Sequence, residues 1–263
     1  MKTLKLFAVL SALAVLAGCS ANHSSTGAVG MGEVRVRLTD APGDFDHVNL
    51  VIREVSIHRG DSDSTGGWEV LAHDSATYDL LALRNGVFAM LGTGLVPAGH
   101  YTQVRLKLGD GSNVVVGGVT NPLTVPSGLQ TGFKLIGEFD VPARGTVDLL
   151  IDFDAARSVH VTGNGRYMLK PTARVMAVST AGAITGHVSP DSVATGVFAI
   201  LGADTLQSTV SSSAGTFLLG ALPPGSYSLA FHPAAGWRDT TLTGVAVSTG
   251  ATTDIGAVQL TPQ

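Results

Sequence analysis

From Glu33 the chain alternates. Val34, Val36 and Leu38 fall on one side of the pattern and Glu33, Arg35 and Arg37 on the other. A period of two predicts a strand with one buried face. The strand runs into an acidic turn that carries Asp40, Pro42, Gly43, Asp44 and Asp46. Val48, Leu50, Ile52, Val55 and Ile57 then predict a longer strand over 48–58. Its phase slips at Arg53-Glu54, which fits a bulge. Further strands are predicted over 68–71, 101–108, 133–139, 146–153 and 167–178, and the leucines of 78–83 fit a helical turn. Gly109-Asp110-Gly111, Pro126-Ser127-Gly128 and Gly163-Asn164-Gly165 supply turns at the short spacing of a sandwich.

A second run of short strands follows a small-residue linker, Ser179-Thr180-Ala181-Gly182. It predicts strands over 184–188, 196–201, 216–219, 227–231, 243–247 and 253–260. One corner recurs in both halves. Pro97-Ala98-Gly99-His100-Tyr101 and Pro223-Pro224-Gly225-Ser226-Tyr227 each set a proline–glycine turn before an aromatic and an alternating strand. The fold class is therefore all-β, with two β-sandwich domains in tandem over 32–179 and 183–263.

Composition agrees with strands. Of 263 residues, 44% are hydrophobic, 14% are charged and 33 are glycine, which is apolar enough for a core and poor in helix formers. The net charge of −4 comes without a basic patch, which argues against a nucleic-acid partner.

The first 18 residues have a different pattern. Lys2 and Lys5 precede a short apolar run over 6–15, as in a signal peptide. The run ends in Leu16-Ala17-Gly18-Cys19, which resembles the bacterial lipobox. That resemblance implies cleavage before Cys19 and acylation of it, by diacylglyceryl and amide-linked chains of the palmitate kind. More than one acyl chain holds a protein stably at a bilayer. Ser20 after the cysteine resembles the outer-membrane sorting pattern, and 19–31 reads as a flexible tether. Loss of the leader takes the charge to −6, with 14 basic residues against 20 acidic ones. Cys19 is the sole cysteine, so no intramolecular disulfide forms.

Leu38-Thr39-Asp40-Ala41-Pro42, the Pro97 turn, Asp152-Phe153-Asp154-Ala155 and Leu169-Lys170-Pro171 resemble the bacterial domain-of-unknown-function family numbered 4382. The resemblance spans roughly 32–179. It implies an all-β extracytoplasmic domain and no particular reaction. Gly186-His187-Val188, 213–217 and 222–227 resemble the carboxypeptidase regulatory-like domains, which are transthyretin-like sandwiches of seven strands. That superfamily overlaps in fold with carbohydrate-binding modules.

Catalytic motifs are missing. There is no G-x-S-x-G elbow, no complete phosphate loop and no H-E-x-x-H pair. Acidic residues are the candidates that remain. Asp40, Asp44 and Asp46 lie on the first turn, and Asp152 and Asp154 share one face of a later strand. Should the two strand ends lie side by side, three or more carboxylates would meet in an oxygen-rich site suited to Ca2+. The same residues equally read as turn caps and as ion-pair partners of Arg35, Arg37 or Arg174. Asp61-x-Asp63-x-Thr65-Gly66 imitates the start of a calcium loop, but Ala72 stands where its last carboxylate belongs, so a hairpin loop fits better. Trp68 and Trp237 are candidates for stacking on a glycan, or else parts of the core.

The expectation is a lipid-anchored, non-enzymatic protein of the cell envelope, at the outer membrane, with a binding or structural role. A carbohydrate-binding or adhesin-like module and a calcium-stabilised structural domain are the alternatives. An enzyme built on a carboxylate pair stands behind them. Partners are the membrane through the lipid, and a glycan or an envelope protein.

Overall fold

The computed structural model describes residues 30–41, 43–61, 66–126 and 132–263. Strands dominate it. In chain order they are β1 (Met31–Ala41), β2 (His47–Arg59), β3 (Trp68–Ala72), β4 (Ala76–Asp79), β5 (Ala89–Pro97), β6 (Gly99–Leu108) and β7 (Asn113–Val116). There follow β8 (Val119–Thr124), β9 (Phe133–Val141), β10 (Thr146–Asp154), β11 (Val159–Val161), β12 (Tyr167–Leu169) and β13 (Ala173–Ala177). A short helix α1 (Ala155–Ser158) joins β10 to β11. A four-stranded sheet in the order β13-β10-β1-β5 faces a nine-stranded one built around β2. Val34, Val36, Leu38, Leu149, Ile151 and Phe153 from the first sheet are fully buried against Leu50, Ile57, Leu106 and Leu108 from the second.

The rest of the chain forms β14 (Gly182–Ser189), β15 (Thr195–Leu201), β16 (Asp204–Val210), β17 (Thr216–Leu222), β18 (Gly225–Pro233), β19 (Thr240–Val247) and β20 (Thr252–Gln259). A three-stranded sheet, β17-β14-β20, packs on a four-stranded one, β16-β15-β18-β19. Ile184, Val197, Leu219, Leu229 and Phe231 fill this second core. The fold is all-β, made of packed sheets without a barrel. Among the described residues no helix is long and apolar enough to cross a membrane.

Most predicted strands are present, with instructive departures. The pairing of β2 with β6 shifts between Ile52 and Glu54, where the sequence pattern slips. The segment 167–178, predicted as one strand, is two. Pro171 cannot donate to a ladder, and the chain crosses there from the larger sheet (β12) to the smaller (β13). Strands β4, β5, β7, β8, β11 and β16 lie outside the predicted ones.

The recurrent corner has one job in both sandwiches. The Tyr101 hydroxyl donates to the Pro97 carbonyl, and the Tyr227 hydroxyl to the Pro223 carbonyl, each at 2.8 Å. Both rings are buried, so each phenol ties the strand to its own turn from inside the core. Tyr101→Phe and Tyr227→Phe should each lower stability by about 1 kcal/mol. Urea unfolding checks this, with a lower midpoint and an unchanged slope. An unmoved midpoint would show that the hydroxyls contribute nothing.

Candidate functional site at the junction of the two sandwiches

Strands β1 and β10 pair in parallel, and β10 pairs with β13 antiparallel. The register sets Thr39, Asp152 and Arg174 in one row across the three strands. This row lies on the outer face of the small sheet, because Asp152 alternates with the core residues Ile151 and Phe153. Further along that face Arg37 reaches Asp148 at 2.6 Å.

The outer face is covered at this end by the second sandwich. Asp152 is only 7% exposed. Arg174 donates from Nε to its Oδ2 at 2.9 Å. The other carboxylate oxygen, Oδ1, and the Arg174 Nη2 are both buried without a hydrogen-bond partner. Gln207 approaches the same carboxylate but makes no hydrogen bond to Oδ1. Its Nε2 donates instead to the Gly220 carbonyl at 3.5 Å, and its Oε1 accepts from the Ser208 N–H at 3.0 Å. Burial dominates the electrostatics and lifts the Asp152 pKa to about 6, with the Arg174 charge pulling the other way.

A cavity of about 140 Å³ opens beside this pair. Asp152, Asp154, Arg157 and Arg174 line it from the first sandwich, and Leu206 and Gln207 from β16. Asp154 caps α1 by accepting the Arg157 N–H at 2.9 Å, and its other oxygen lies 3.4 Å from Arg157 Nε. The junction is fastened a short way off by Asn85. Its Nδ2 donates to the Val210 carbonyl at 2.6 Å, and its Oδ1 accepts from Thr209 Oγ1 at 2.7 Å. Asn85 has φ of 54° and precedes Gly86 at 81°, a left-handed turn that asparagine and glycine tolerate.

The acidic residues do not meet as the sequence reading allowed. The strand ends do lie side by side, but Asp40 has the parity of Leu38 and pairs with Phe153, so it belongs to the opposite face from Asp152. Asp40 is buried, and its Oδ1 accepts the Ala155 N–H at 2.9 Å. Burial holds its pKa well above the usual carboxylate range, against that N–H. Asp44 is exposed, and Asp46 accepts the Gly118 N–H at 2.8 Å on the far side of the turn. Among the described residues no three His, Cys, Asp or Glu side chains form a group able to hold a metal ion. Asp63, Thr65 and Cys19 lie outside the described residues.

Trp68 is not an open platform. The Arg105 guanidinium stands 4.0 Å from its ring centre, Lys134 stands at 5.4 Å, and the His58 ring is 4.8 Å away. Trp237 is half-buried and packs on the second core. Sequence reasoning missed Gln207, Asn85 and the role of Arg157. The one available signal was Asn85-Gly86, a turn pair between predicted strands.

Residues 31–171 match the family described as Domain of unknown function (DUF4382). The chain belongs to the DUF4382 family. The matched span includes Asp152 and Asp154 but stops short of Arg174 and of the whole second sandwich, so the DUF4382 region supplies only one wall of the cavity. No curated protein matches the chain. Among solved structures it is similar to a chain of a type II cohesin–X-dockerin interface mutant from Acetivibrio cellulolyticus. That match has 17% identity over 31% of this chain and 58% of that one, at a TM-score of 0.27. The chain thus spans little more than half of that relative. It is also similar to the shaft pilin spaA from Lactobacillus rhamnosus GG, at 9% identity over 89% and 98% of the two chains and a TM-score of 0.25. The minor pilin GBS52 of Streptococcus agalactiae matches at 11% identity over 87% and 97%, with a TM-score of 0.22. Likenesses this distant carry no argument about function, and the fold assignment rests on the sheets themselves.

Asp152 sets a pH dependence. An acid whose pKa is raised on folding holds its proton more tightly in the folded state. Its stabilising contribution is therefore complete below the unfolded value of about 3.9 and is lost as pH rises through about 6. In Asp152→Asn this part of the stability profile should flatten relative to wild type, as read from urea midpoints between about pH 4 and pH 6. An identical slope in the two proteins would remove the assignment.

Proposed function

We propose that this is a lipid-anchored protein of the cell envelope, held at the outer membrane by acylated Cys19, with a non-enzymatic structural or binding role. The observation that carries the non-enzymatic part is how the acidic motifs are committed. Asp40 accepts from Ala155, Asp46 from Gly118, Asp152 from Arg174 and Asp154 from Arg157. Each carboxylate has one oxygen tied to a static donor, and the oxygens left over on Asp40 and Asp152 belong to opposite faces of the sheet, whereas a general base or a metal ligand needs free lone pairs aimed at a shared point. The anchor rests on the leader pattern and on the small, polar tether that follows Cys19. A second domain of the carboxypeptidase regulatory-like kind is part of the proposal. The seven strands over 182–259, split three and four between sheets, support it.

Palmitate labelling of the full chain, with the mass of the product, tests the anchor. Wild type should take up label and lose its leader, and Cys19→Ser should do neither. If Cys19→Ser is labelled and cut like wild type, the anchor reading is wrong.

A carbohydrate-binding role is the second reading. The junction cavity favours it, since its lining mixes polar side chains (Asp154, Thr172, Gln207) with apolar ones (Ala41, Ala173, Leu206).

A further inference from the structure

We infer that the bulge in β2 builds an anion site, and that the cavity beside it takes the phosphate monoester group of a ligand. The site lies in the first sandwich, away from the junction, and is independent of the anchor and of the carbohydrate reading.

β2 is paired on both flanks. On one side Ile52 pairs with Leu108 of β6 and Glu54 with Lys107, so Arg53 is the extra residue of the bulge. On the other side Val55 pairs with Ala72 of β3 and Ile52 with Ala76 of β4. The link between β3 and β4, His73-Asp74-Ser75, is therefore set across from Arg53 and Glu54. A cavity of about 370 Å³ opens there, lined by Arg53, Glu54, His73, Ser75 and Lys107. That volume falls within the range of small-molecule sites. The lining comes from three separate stretches of chain, so no basic run in the sequence marks it, and only the strand register gathers it.

Donors outnumber acceptors in this lining. Its one carboxylate, Glu54, is already spent. Glu54 Oε2 accepts from Lys107 Nζ at 2.7 Å, and Oε1 accepts from Arg105 Nη2 at 3.2 Å and from Ser56 Oγ at 3.3 Å. Arg53 is exposed, and among the described residues no carboxylate pairs with it. An ammonium has three donors, so Lys107 keeps two beyond its bond to Glu54. The Ser75 hydroxyl and the His73 ring add further donors. Asp74 is fully exposed, stands 3.9 Å from the His73 ring nitrogen and does not line the cavity. Arg53, Arg105 and Lys107 thus outweigh one carboxylate, in a chain whose net charge is −4.

Such a lining selects a group that only accepts. A sugar hydroxyl brings a donor with every acceptor, and a cation meets like charge. A phosphate monoester brings three acceptor oxygens and a charge of about −1.5 to −2 near neutral pH. The Arg53 guanidinium suits two of those oxygens at once, with the Lys107 ammonium beside it as a point charge. The group can belong to a lipid headgroup or to a soluble phosphate.

The test is isothermal titration calorimetry on the full chain in a non-ionic detergent at fixed ionic strength. The probes are inorganic phosphate, glycerol phosphate and acetate, and, in mixed micelles, phosphatidic acid against phosphatidylcholine. Saturable binding of the phosphate monoesters is expected, tighter than that of acetate and absent for phosphatidylcholine. Arg53→Gln should weaken it roughly tenfold or more, the effect of losing a charge-assisted hydrogen bond. Ser75→Ala, a second exposed position, should weaken it by less and covers a folding defect in Arg53→Gln. Arg166→Gln removes an exposed cation between β11 and β12 and should leave binding unchanged. Absence of saturable phosphate binding overturns the inference, and so does an equal loss in Arg166→Gln, which would mark general attraction to charge. Acetate bound as tightly overturns the ligand class. Phosphatidic acid bound more tightly than the soluble phosphates assigns the site to a headgroup, the reverse assigns it to a soluble ligand, and both support the site. None of these outcomes alters palmitate labelling at Cys19 or sugar binding, so those readings stand or fall separately.

Discussion

The parallel register of β1 on β10 is the constraint on which the rest depends. It places Val34, Val36 and Leu38 beside Val147, Leu149 and Ile151, and all six point into the first core. Fully burying such side chains is worth on the order of 10 kcal/mol in sum. A slip of one residue would turn that set outward and bring Arg37, Thr39 and Asp152 inside. The same register therefore decides the outer face, where Asp148, Asp152 and Asp154 stand against Arg37, Arg174 and Arg157. Arg157 stays 59% exposed and its pair with Asp154 is an ordinary surface one, but the second sandwich covers Asp152, which is 7% exposed. Covering it turns a weak surface interaction into a largely buried one, in which desolvation competes with attraction.

That competition explains why the junction is polar and incompletely satisfied. Asp152 keeps one oxygen bonded and one bare, and Arg174 does the same with its nitrogens. A junction selected only for stability would have used apolar side chains of similar volume. The DUF4382 match ends before Arg174, so the complete cavity belongs to this two-sandwich arrangement rather than to the matched domain alone.

Much of the fold was legible in the chain because burial writes itself as alternation. β1 and β2 show it, down to the slip at Arg53-Glu54. The two Pro–Gly–Tyr corners were visible as a repeat, although their shared hydroxyl-to-carbonyl bond was not. β5 was hidden because its alternate positions are glycine. A Cβ on Gly92 would stand 2.9 Å from Ala72, and one on Gly94 3.0 Å from Leu71. The strand is sequence-poor because it lies so close to β3. β16 was hidden for another reason. Its buried residues include Gln207, which bonds to Gly220 and Ser208 within the second sandwich, and Thr209, which bonds to Asn85 across the junction, and neither carries a hydrophobic signal. The acidic cluster was half legible. Sequence parity placed Asp152 with Asp154 correctly, but the relative phase of Asp40 depends on register between distant strands, which periodicity does not contain.

The central claim is that the two sandwiches are docked as one unit through specific polar contacts. A double-mutant cycle between Asn85→Ala and Thr209→Ala tests it most directly, with each variant measured by urea unfolding. The account predicts a coupling energy of about 1 kcal/mol or more, the range for contacting residues in one network. Strict additivity of the two substitutions would contradict it, because the sandwiches would then be merely adjacent and the cavity between them would have no fixed walls.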